Sequence, residues 1–368
     1  MNGSDTPPAS PPAARPRRPR PRIAVIFTGG TISMTVDTPG EGAIPTLAGA
    51  DLLARVPGLD ALAEIVPIDR GRTPASHFSF VDVLAIGSAI EAALEDPEVA
   101  GVVVVQGTDT LEETAFAWDL CHFDERPVVV TGAMRNASDP GWDGPANLRA
   151  ALRLAAHPGA RGAGVLVLLD GRVIAADDVA KRHSSALDAF ASRSGRPLGR
   201  VGDRRLTLAR RGPRRQIRPV PGTAGGPVEI VVAALETDGH LLDRVISGGA
   251  RGVVVAATGS GNTHPDLLRA AVEALAAGVP VALASRTGAG PVGPFYAFPG
   301  GGATWQRAGV LMAGSLTPVQ ARVALALGLG AGMGVGELRA LLADPDGDPA
   351  PSTRRAISSR GSAGTPRT

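Results

Sequence analysis

Two threonines beside glycines and one solitary lysine are the residues of this 368-residue chain whose types and placement could carry a reaction. Of its 37 basic residues, 36 are arginine and only Lys181 is lysine. A guanidinium keeps its proton at any useful pH, whereas an ammonium gives one up when desolvated or placed beside the right charge. A single lysine is either drift in an arginine-biased composition or a position that needs an amine able to cycle protons. A threonine hydroxyl is a poor nucleophile until a base takes its proton, and an unprotonated lysine beside it can be that base. Such a set supports attack on a carbonyl carbon, with the developing oxyanion held by backbone N–H groups.

These groups need a frame, and short runs rich in Val and Ile alternate with Ala/Leu-rich amphipathic stretches along the chain. Strands are expected at 23–27, 101–105, 127–131 and 164–169, with helices at 80–94, 111–121 and 146–156. Continuously apolar strands separated by helices indicate a parallel sheet covered on both faces. The pattern repeats in the second half, with strands at 229–233, 252–256 and 280–284 and helices near 265–277 and 318–327. In such sheets ligands bind beyond the carboxyl ends of the strands. The first strand runs into Thr28-Gly29-Gly30-Thr31-Ile32, the second into Gln106-Gly107-Thr108-Asp109-Thr110, and the third into Thr131-Gly132-Ala133-Met134-Arg135.

Each loop also has a plain structural use. The glycines of the first can serve a tight turn at positive φ, or leave amides free for an oxyanion. Thr108, Asp109 and Thr110 precede a helix-forming run and can cap it, while their neighbours face a ligand. Lys181 follows the fourth strand and is expected on the same rim as both threonine loops. The Gly259-Ser260-Gly261 turn lacks the third glycine of a dinucleotide fingerprint, and no Gly-Lys-Ser/Thr follows the first loop.

The remaining composition narrows the class. Charge is nearly balanced, 37 basic against 35 acidic residues, so no polyanion partner is demanded. One cysteine, Cys121, excludes an intrachain disulfide and suits a reducing compartment. Six histidines without ligand-like spacing lend no support to a metal site. Residues 1–22 and 344–368 are Pro-, Ser-, Gly- and Arg-rich and read as disordered tails, with no signal-peptide core in the first. No apolar run is long enough to span a bilayer. Residues 193–226 hold ten arginines and four prolines and read as a solvated hairpin and interdomain linker. A nucleic-acid surface there would need interleaved aromatics, and the whole chain has twelve. The expected domains are 23–212 and 229–343, joined by a linker at 213–228.

The motifs TGGTI, GTDTLEETA, TGAMR with DGPANL, DDVAK with SALDAF, SGNTHP, and AGSLTPVQARVALALGL occur in this order across the chain. Together they resemble the L-asparaginase/glutaminase family of bacterial type. The resemblance implies a two-domain α/β fold, with a larger N-terminal, mostly parallel sheet flanked by helices and a smaller C-terminal α/β domain. It implies hydrolysis of a side-chain amide, asparagine above all, to an acid and ammonia through an acyl-enzyme. Carried over by position, Thr31 resembles the primary nucleophile, and Thr108 and Lys181, 73 residues apart, match a second threonine and its lysine. Asp109 matches the carboxylate that grips the substrate's α-ammonium. Gly30, Gly107 and Ser76 fall in the substrate-binding segments. No metal or organic cofactor is implied; the expected partners are a small amino-acid substrate and further copies of the chain, as a homodimer or homotetramer. A cytoplasmic location, no nucleic acid and no membrane are expected.

Three departures stand out. Residues 33–57 contain no tyrosine where the family usually has one that bonds to the nucleophilic threonine, and the only tyrosine is Tyr296. The carboxylate-binding segment reads Pro74-Ala75-Ser76-His77. No Asp or Glu lies between Arg286 and Gly336, so the acidic residue lent by a neighbouring subunit in exported members is missing. Glutamine, a D-amino-acid amide or a tRNA-linked amide remain open as substrates, as does a non-catalytic amino-acid-binding role.

Overall fold

A computed structural model describes residues 20–38, 40 and 42–345. The larger domain opens with β1 (Arg22–Phe27) and passes through β2 (Met34–Thr35), β3 (Ile44–Pro45) and α1 (Gly49–Ala54) to β4 (Glu64–Asp69). It continues with α2 (Phe80–Leu94), β5 (Val99–Val105), α3 (Leu111–Cys121), β6 (Val128–Thr131), α4 (Gly144–Ala155) and β7 (Val165–Leu169). The strands then shorten, in β8 (Arg172–Ala175), β9 (Val179–Lys181), β10 (Phe190–Ser192), β11 (Gly199–Val201) and β12 (Leu206–Leu208). The smaller domain alternates β13 (Val228–Val232), α5 (His240–Ser247), β14 (Gly252–Ala257), α6 (Pro265–Ala276), β15 (Val281–Ser285), α7 (Gly302–Arg307) and β16 (Leu311–Met312), and closes with α8 (Pro318–Gly330) and α9 (Val335–Leu342).

The main sheet has eight strands in the order β12-β11-β8-β7-β6-β5-β1-β4. The block from β4 to β7 is parallel, and β8, β11 and β12 add antiparallel strands at one edge. The four strands β13 to β16 form a second sheet, parallel throughout. The two-domain, mostly parallel α/β architecture is therefore the one expected.

Alternation along each strand decides which helix it meets. Val102 and Val104 of β5 face the side covered by α2 and α3, while Val103 and Val105 face α4. All four are fully buried, each contributing on the order of 2 kcal/mol through loss of contact with water. The core on the α2/α3 side does not stop at the domain boundary. It continues through Ala324, Leu325 and Leu327 of α8 to Val254 and Ala282 of the smaller sheet. A separate core between that sheet, α5, α6 and Trp305 covers the opposite face. Helix starts are locally encoded: the Ser79 hydroxyl accepts from the Asp82 N–H while the Asp82 carboxylate accepts from the Ser79 N–H, and Thr317 and Gln320 do the same ahead of α8.

Two expectations need correcting. Lys181 does not sit on the loop ending the fourth strand. The chain first reverses through β8 and then enters β9, which pairs antiparallel with β10 as a separate two-stranded unit, and Lys181 is the last residue of β9. Nor is the arginine-rich stretch merely solvated. Residues such as Arg196, Arg200, Arg204 and Arg205 are exposed around the β11–β12 hairpin, but Arg211, Arg214 and Arg215 turn inward. The reason is a set of aspartates that burial would otherwise leave unpaired. Asp119, in the last turns of α3 and 2% exposed, receives both Nη atoms of Arg211 at 2.9 and 2.7 Å, Nη1 of Arg214 at 3.0 Å and the Val165 N–H. Arg211 also reaches Asp177 at 2.6 Å, in the turn before β9. Arg215 passes between Asp177 and Asp344, at 3.8 and 2.7 Å, and Asp344 accepts from the Ser315 N–H. The expected tails at 1–22 and 344–368 lie outside the described residues apart from 20–22 and 344–345; within those, Arg22 already belongs to β1 and Asp344 is held by Arg215.

Burial alone would push the Asp119 carboxyl up, but the adjacent Arg211 and Arg214 charges and hydrogen bonds hold it below the ordinary carboxylate range. Its contribution to stability is thus complete above the ordinary value of about 4 and is lost as pH falls through the lower folded-state value. Asp119→Asn leaves two inward guanidiniums without their shared countercharge, and should cost about 3–5 kcal/mol in equilibrium urea unfolding; a loss under 1 kcal/mol would mean the cluster is dispensable. Burial also pushes the Cys121 thiol up to about 12, so alkylation at pH 8 should be slow in the native protein and fast in urea, read by mass spectrometry at this one cysteine.

Candidate active site

The first two strand-end loops are pressed together by glycines. Gly29 and Gly30 have φ of 102° and 91°, a region that favours glycine. A β-carbon on Gly30 would lie 2.1 Å from the Gly107 nitrogen, so no side chain fits between the loops. Gly107 is equally confined on its other side, where its own β-carbon would meet Ala75 at 2.9 Å. Ala75 belongs to the short 3-10 turn Ala75–His77, which carries the exposed Ser76. The Thr110 hydroxyl donates to the Ala75 carbonyl at 2.9 Å. Three segments distant in sequence, holding Gly30-Thr31, Ser76 and Gly107-Thr108-Asp109, are thereby stacked at the carboxyl ends of β1, β4 and β5.

Thr31 starts a single 3-10 turn, Thr31–Ser33, directly after the positive-φ glycines, and is half-buried. The Ser33 hydroxyl closes that turn onto the Gly30 carbonyl at 2.8 Å. The chain then enters the β2–β3 pair, where the Thr35 and Thr46 hydroxyls meet at 2.8 Å and the Met34 carbonyl accepts the Ala137 N–H. Tyr296 stands elsewhere, on a loop of the smaller domain, half-exposed, with its ring centroid 5.7 Å from that of Phe298.

Thr108 is buried, and its hydroxyl accepts a hydrogen bond from Lys181 Nζ at 3.0 Å. The same Nζ lies 2.7 Å from Asp109 Oδ1. The lysine side chain is 16% exposed and that of Asp109 68%, so the pair has an inner end at Thr108 and an outer end open to solvent. The capping reading of this loop holds only in position: Thr110 is the residue before α3, but its hydroxyl makes no cap and serves Ala75 instead. The third loop closes the rim. Asp143 accepts the Met134 and Arg135 N–H groups and the Asn147 Nδ2, which also reaches the Gly132 carbonyl.

The structure thus joins Thr108, Asp109 and Lys181 by direct hydrogen bonds, and brings Gly30, Gly107 and the Ser76 turn into contact with one another through Ala75. Two nearby carboxylates were not singled out from the sequence. Glu112 and Glu113 occupy the first turn of α3, where acidic residues commonly complement the helix dipole. Both are largely buried, and burial pushes both carboxyls up. Glu112 is opposed by the Lys181 N–H it accepts, and Glu113 by the Arg322 charge. Chemically, the site offers hydroxyls beside glycine amides, one amine bonded to a hydroxyl, and a carboxylate open to solvent, the parts that amide hydrolysis requires.

Residues 22–214 match the family described as asparaginase, N-terminal, and residues 227–342 match the glutaminase/asparaginase C-terminal domain. A "Probable L-asparaginase" of Deinococcus radiodurans is 39% identical over 83% of this chain and 92% of its own length. An "L-asparaginase" of Bacillus licheniformis is 31% identical, covering 83% and 94%. The crystal structure of a probable cytoplasmic L-asparaginase from Campylobacter jejuni superimposes with a TM-score of 0.78 at 27% identity, over 88% of this chain and 99% of that one. With both domains matched in order and the strand-end loops assembled around one lysine, the chain belongs to the asparaginase family.

Proposed function

We propose that the protein is an amidohydrolase that converts L-asparagine to L-aspartate and ammonia through a threonyl acyl-enzyme. The observation that carries this reading is Lys181 Nζ, held at 3.0 Å from the Thr108 hydroxyl and 2.7 Å from Asp109. A lysine that merely solvated a surface would not be 16% exposed and bonded at once to a buried threonine and a carboxylate. The names of the relatives support asparagine as the amide.

In this mechanism Asp109 takes the α-ammonium of the substrate, and Ser76 with the neighbouring backbone meets its α-carboxylate. An α-ammonium arriving at Asp109 competes with Lys181 for the same carboxylate, and two cations on one anion favour release of the lysine proton. The amine then accepts the hydroxyl proton of Thr108 or, through it, of Thr31 as the threonine oxygen attacks the amide carbon. The carbonyl oxygen becomes an oxyanion facing the glycine-loop amides. The C–N bond breaks as the relay returns a proton to nitrogen, and ammonia leaves. Water then attacks the ester, giving its proton to the relay, which returns one to the threonine oxygen as the ester C–O bond breaks and aspartate departs. By position Thr31 resembles the family's nucleophile, on the loop where Gly30 presses against Gly107. The enzyme is read as a cytoplasmic homodimer or homotetramer with a small-molecule substrate.

Purified protein should release ammonia from asparagine, with glutamine and D-asparagine as comparison substrates. Intact asparagine binding without ammonia release would overturn the enzymatic reading in favour of a binding protein, and faster release from glutamine would reassign the substrate. Lys181→Met, close in volume and lacking only the amine, should lower kcat by roughly 100-fold or more while leaving thermal unfolding nearly unchanged. Lys181→Arg retains a charge but cannot cycle its proton, so a full rate in that variant would remove the lysine from the relay.

A further inference from the structure

The backbone of Lys181 is held as deliberately as its side chain. In the β9–β10 pair the Arg182 N–H donates to the Ala189 carbonyl, so Arg182 and Ala189 form a hydrogen-bonded pair. Antiparallel pairs alternate, and the next one, Lys181 with Phe190, is therefore the non-bonded kind. The Lys181 N–H consequently points away from β10, and among the described residues β9 has no second neighbouring strand. A half-buried N–H at an open edge costs about 1–3 kcal/mol if it finds no acceptor. Glu112 supplies one, its Oε2 lying 3.2 Å from the Lys181 nitrogen. Glu112 is reached from α3, directly after the loop carrying Thr108 and Asp109. One five-residue stretch, 108–112, therefore grips Lys181 at three points: two at Nζ and one at the main chain.

We propose that Glu112 is a positioning residue of the lysine relay, which sets the height of β9 against α3 by accepting the Lys181 N–H and so keeps Nζ within reach of Thr108. This rests on the relay role assigned to Lys181 above. Among the described residues, the Glu112 side chain's hydrogen bond goes to the lysine's main chain and not to Nζ or to the Thr108 hydroxyl. Its part is geometric: β9 is three residues long and, among the described residues, paired with a strand on one side only, and a displacement of about 1 Å at a reacting group can cost on the order of 100-fold in rate. Around the Glu112 carboxylate lie the charges of Glu113, Arg193 and Lys181. Arg193 is fixed by the Asp177 and Ser315 carbonyls, and among the hydrogen bonds of the described residues the glutamate's is the one that joins α3 to the lysine's own peptide.

The test compares Glu112→Ala, which removes the acceptor, with Glu112→Gln, which keeps an amide oxygen as acceptor and discards the charge. Kinetics with asparagine should show kcat reduced about tenfold or more in Glu112→Ala with KM within about threefold, and near-normal kcat in Glu112→Gln. A second readout does not depend on turnover. Lys181 is the only lysine, so the rate of its modification by an amine-directed reagent, mapped by peptide mass spectrometry apart from the N-terminal amine, reports its position directly. That rate should rise severalfold in Glu112→Ala and stay near wild type in Glu112→Gln. Wild-type kcat and labelling in folded Glu112→Ala would overturn the proposal, as would Glu112→Gln falling as far as Glu112→Ala. Should the wild-type protein release no ammonia, the amidohydrolase reading fails by itself, and the labelling comparison still decides whether Glu112 positions the lysine.

Discussion

A chain of alternating aspartates and arginines underlies everything that the site requires. Asp119 closes the last turns of α3, Arg211 joins it to Asp177, and Arg215 carries the contact on to Asp344 beyond α9. Asp177 lies four residues before Lys181, in the turn that launches β9. The segment crossing between the domains is thus fixed to the helix that follows the Thr108 loop, to the strand pair that bears the lysine and to the end of the smaller domain. Charges this buried are held in place by the desolvation each would suffer if its partner moved away, so the arrangement is specific more than it is adhesive.

Much of the frame could be read from the chain before any coordinates, and the parts that could not share a physical reason. The bounds of α2 and α3 agree with the expectation because each carries a long run of apolar residues, with a local cap at the start of α2. Strand β4 escaped because Glu64–Asp69 is an edge strand with Pro67 inside it and exposure on both faces. The three-residue strands β9 to β12 are too short to show a period. Their pairing depends on contacts such as those of Asp178, which accepts from the Ser194 N–H and from the Ser192 and Ser194 hydroxyls. The inward arginines were hidden because their aspartate partners lie up to 129 residues away in sequence, and an isolated arginine-rich stretch reads as solvated.

The site divides in the same way. Thr108, Asp109 and Lys181 were legible, partly because one lysine among arginines draws attention and partly because three loop motifs end three strands. Glu112 was concealed by its setting, since an acidic pair in the first turn of a helix already has an ordinary use. The close approach of Gly30 to Gly107 was also invisible, because a glycine in a loop signals freedom of φ long before it signals a backbone only 2.1 Å from where a β-carbon would sit.

The continuous core that runs from α2 and α3 through α8 into the smaller sheet limits how this molecule can respond to a ligand. A hinge between the domains would have to part Leu325 and Leu327 from their neighbours and wet a surface that is now fully dry. Domain-scale breathing is therefore the costliest way to reshape the site, and the short segments at the strand ends are the cheapest. The strand-end loops thus stand as the adjustable part of a two-sheet block whose interior is continuous.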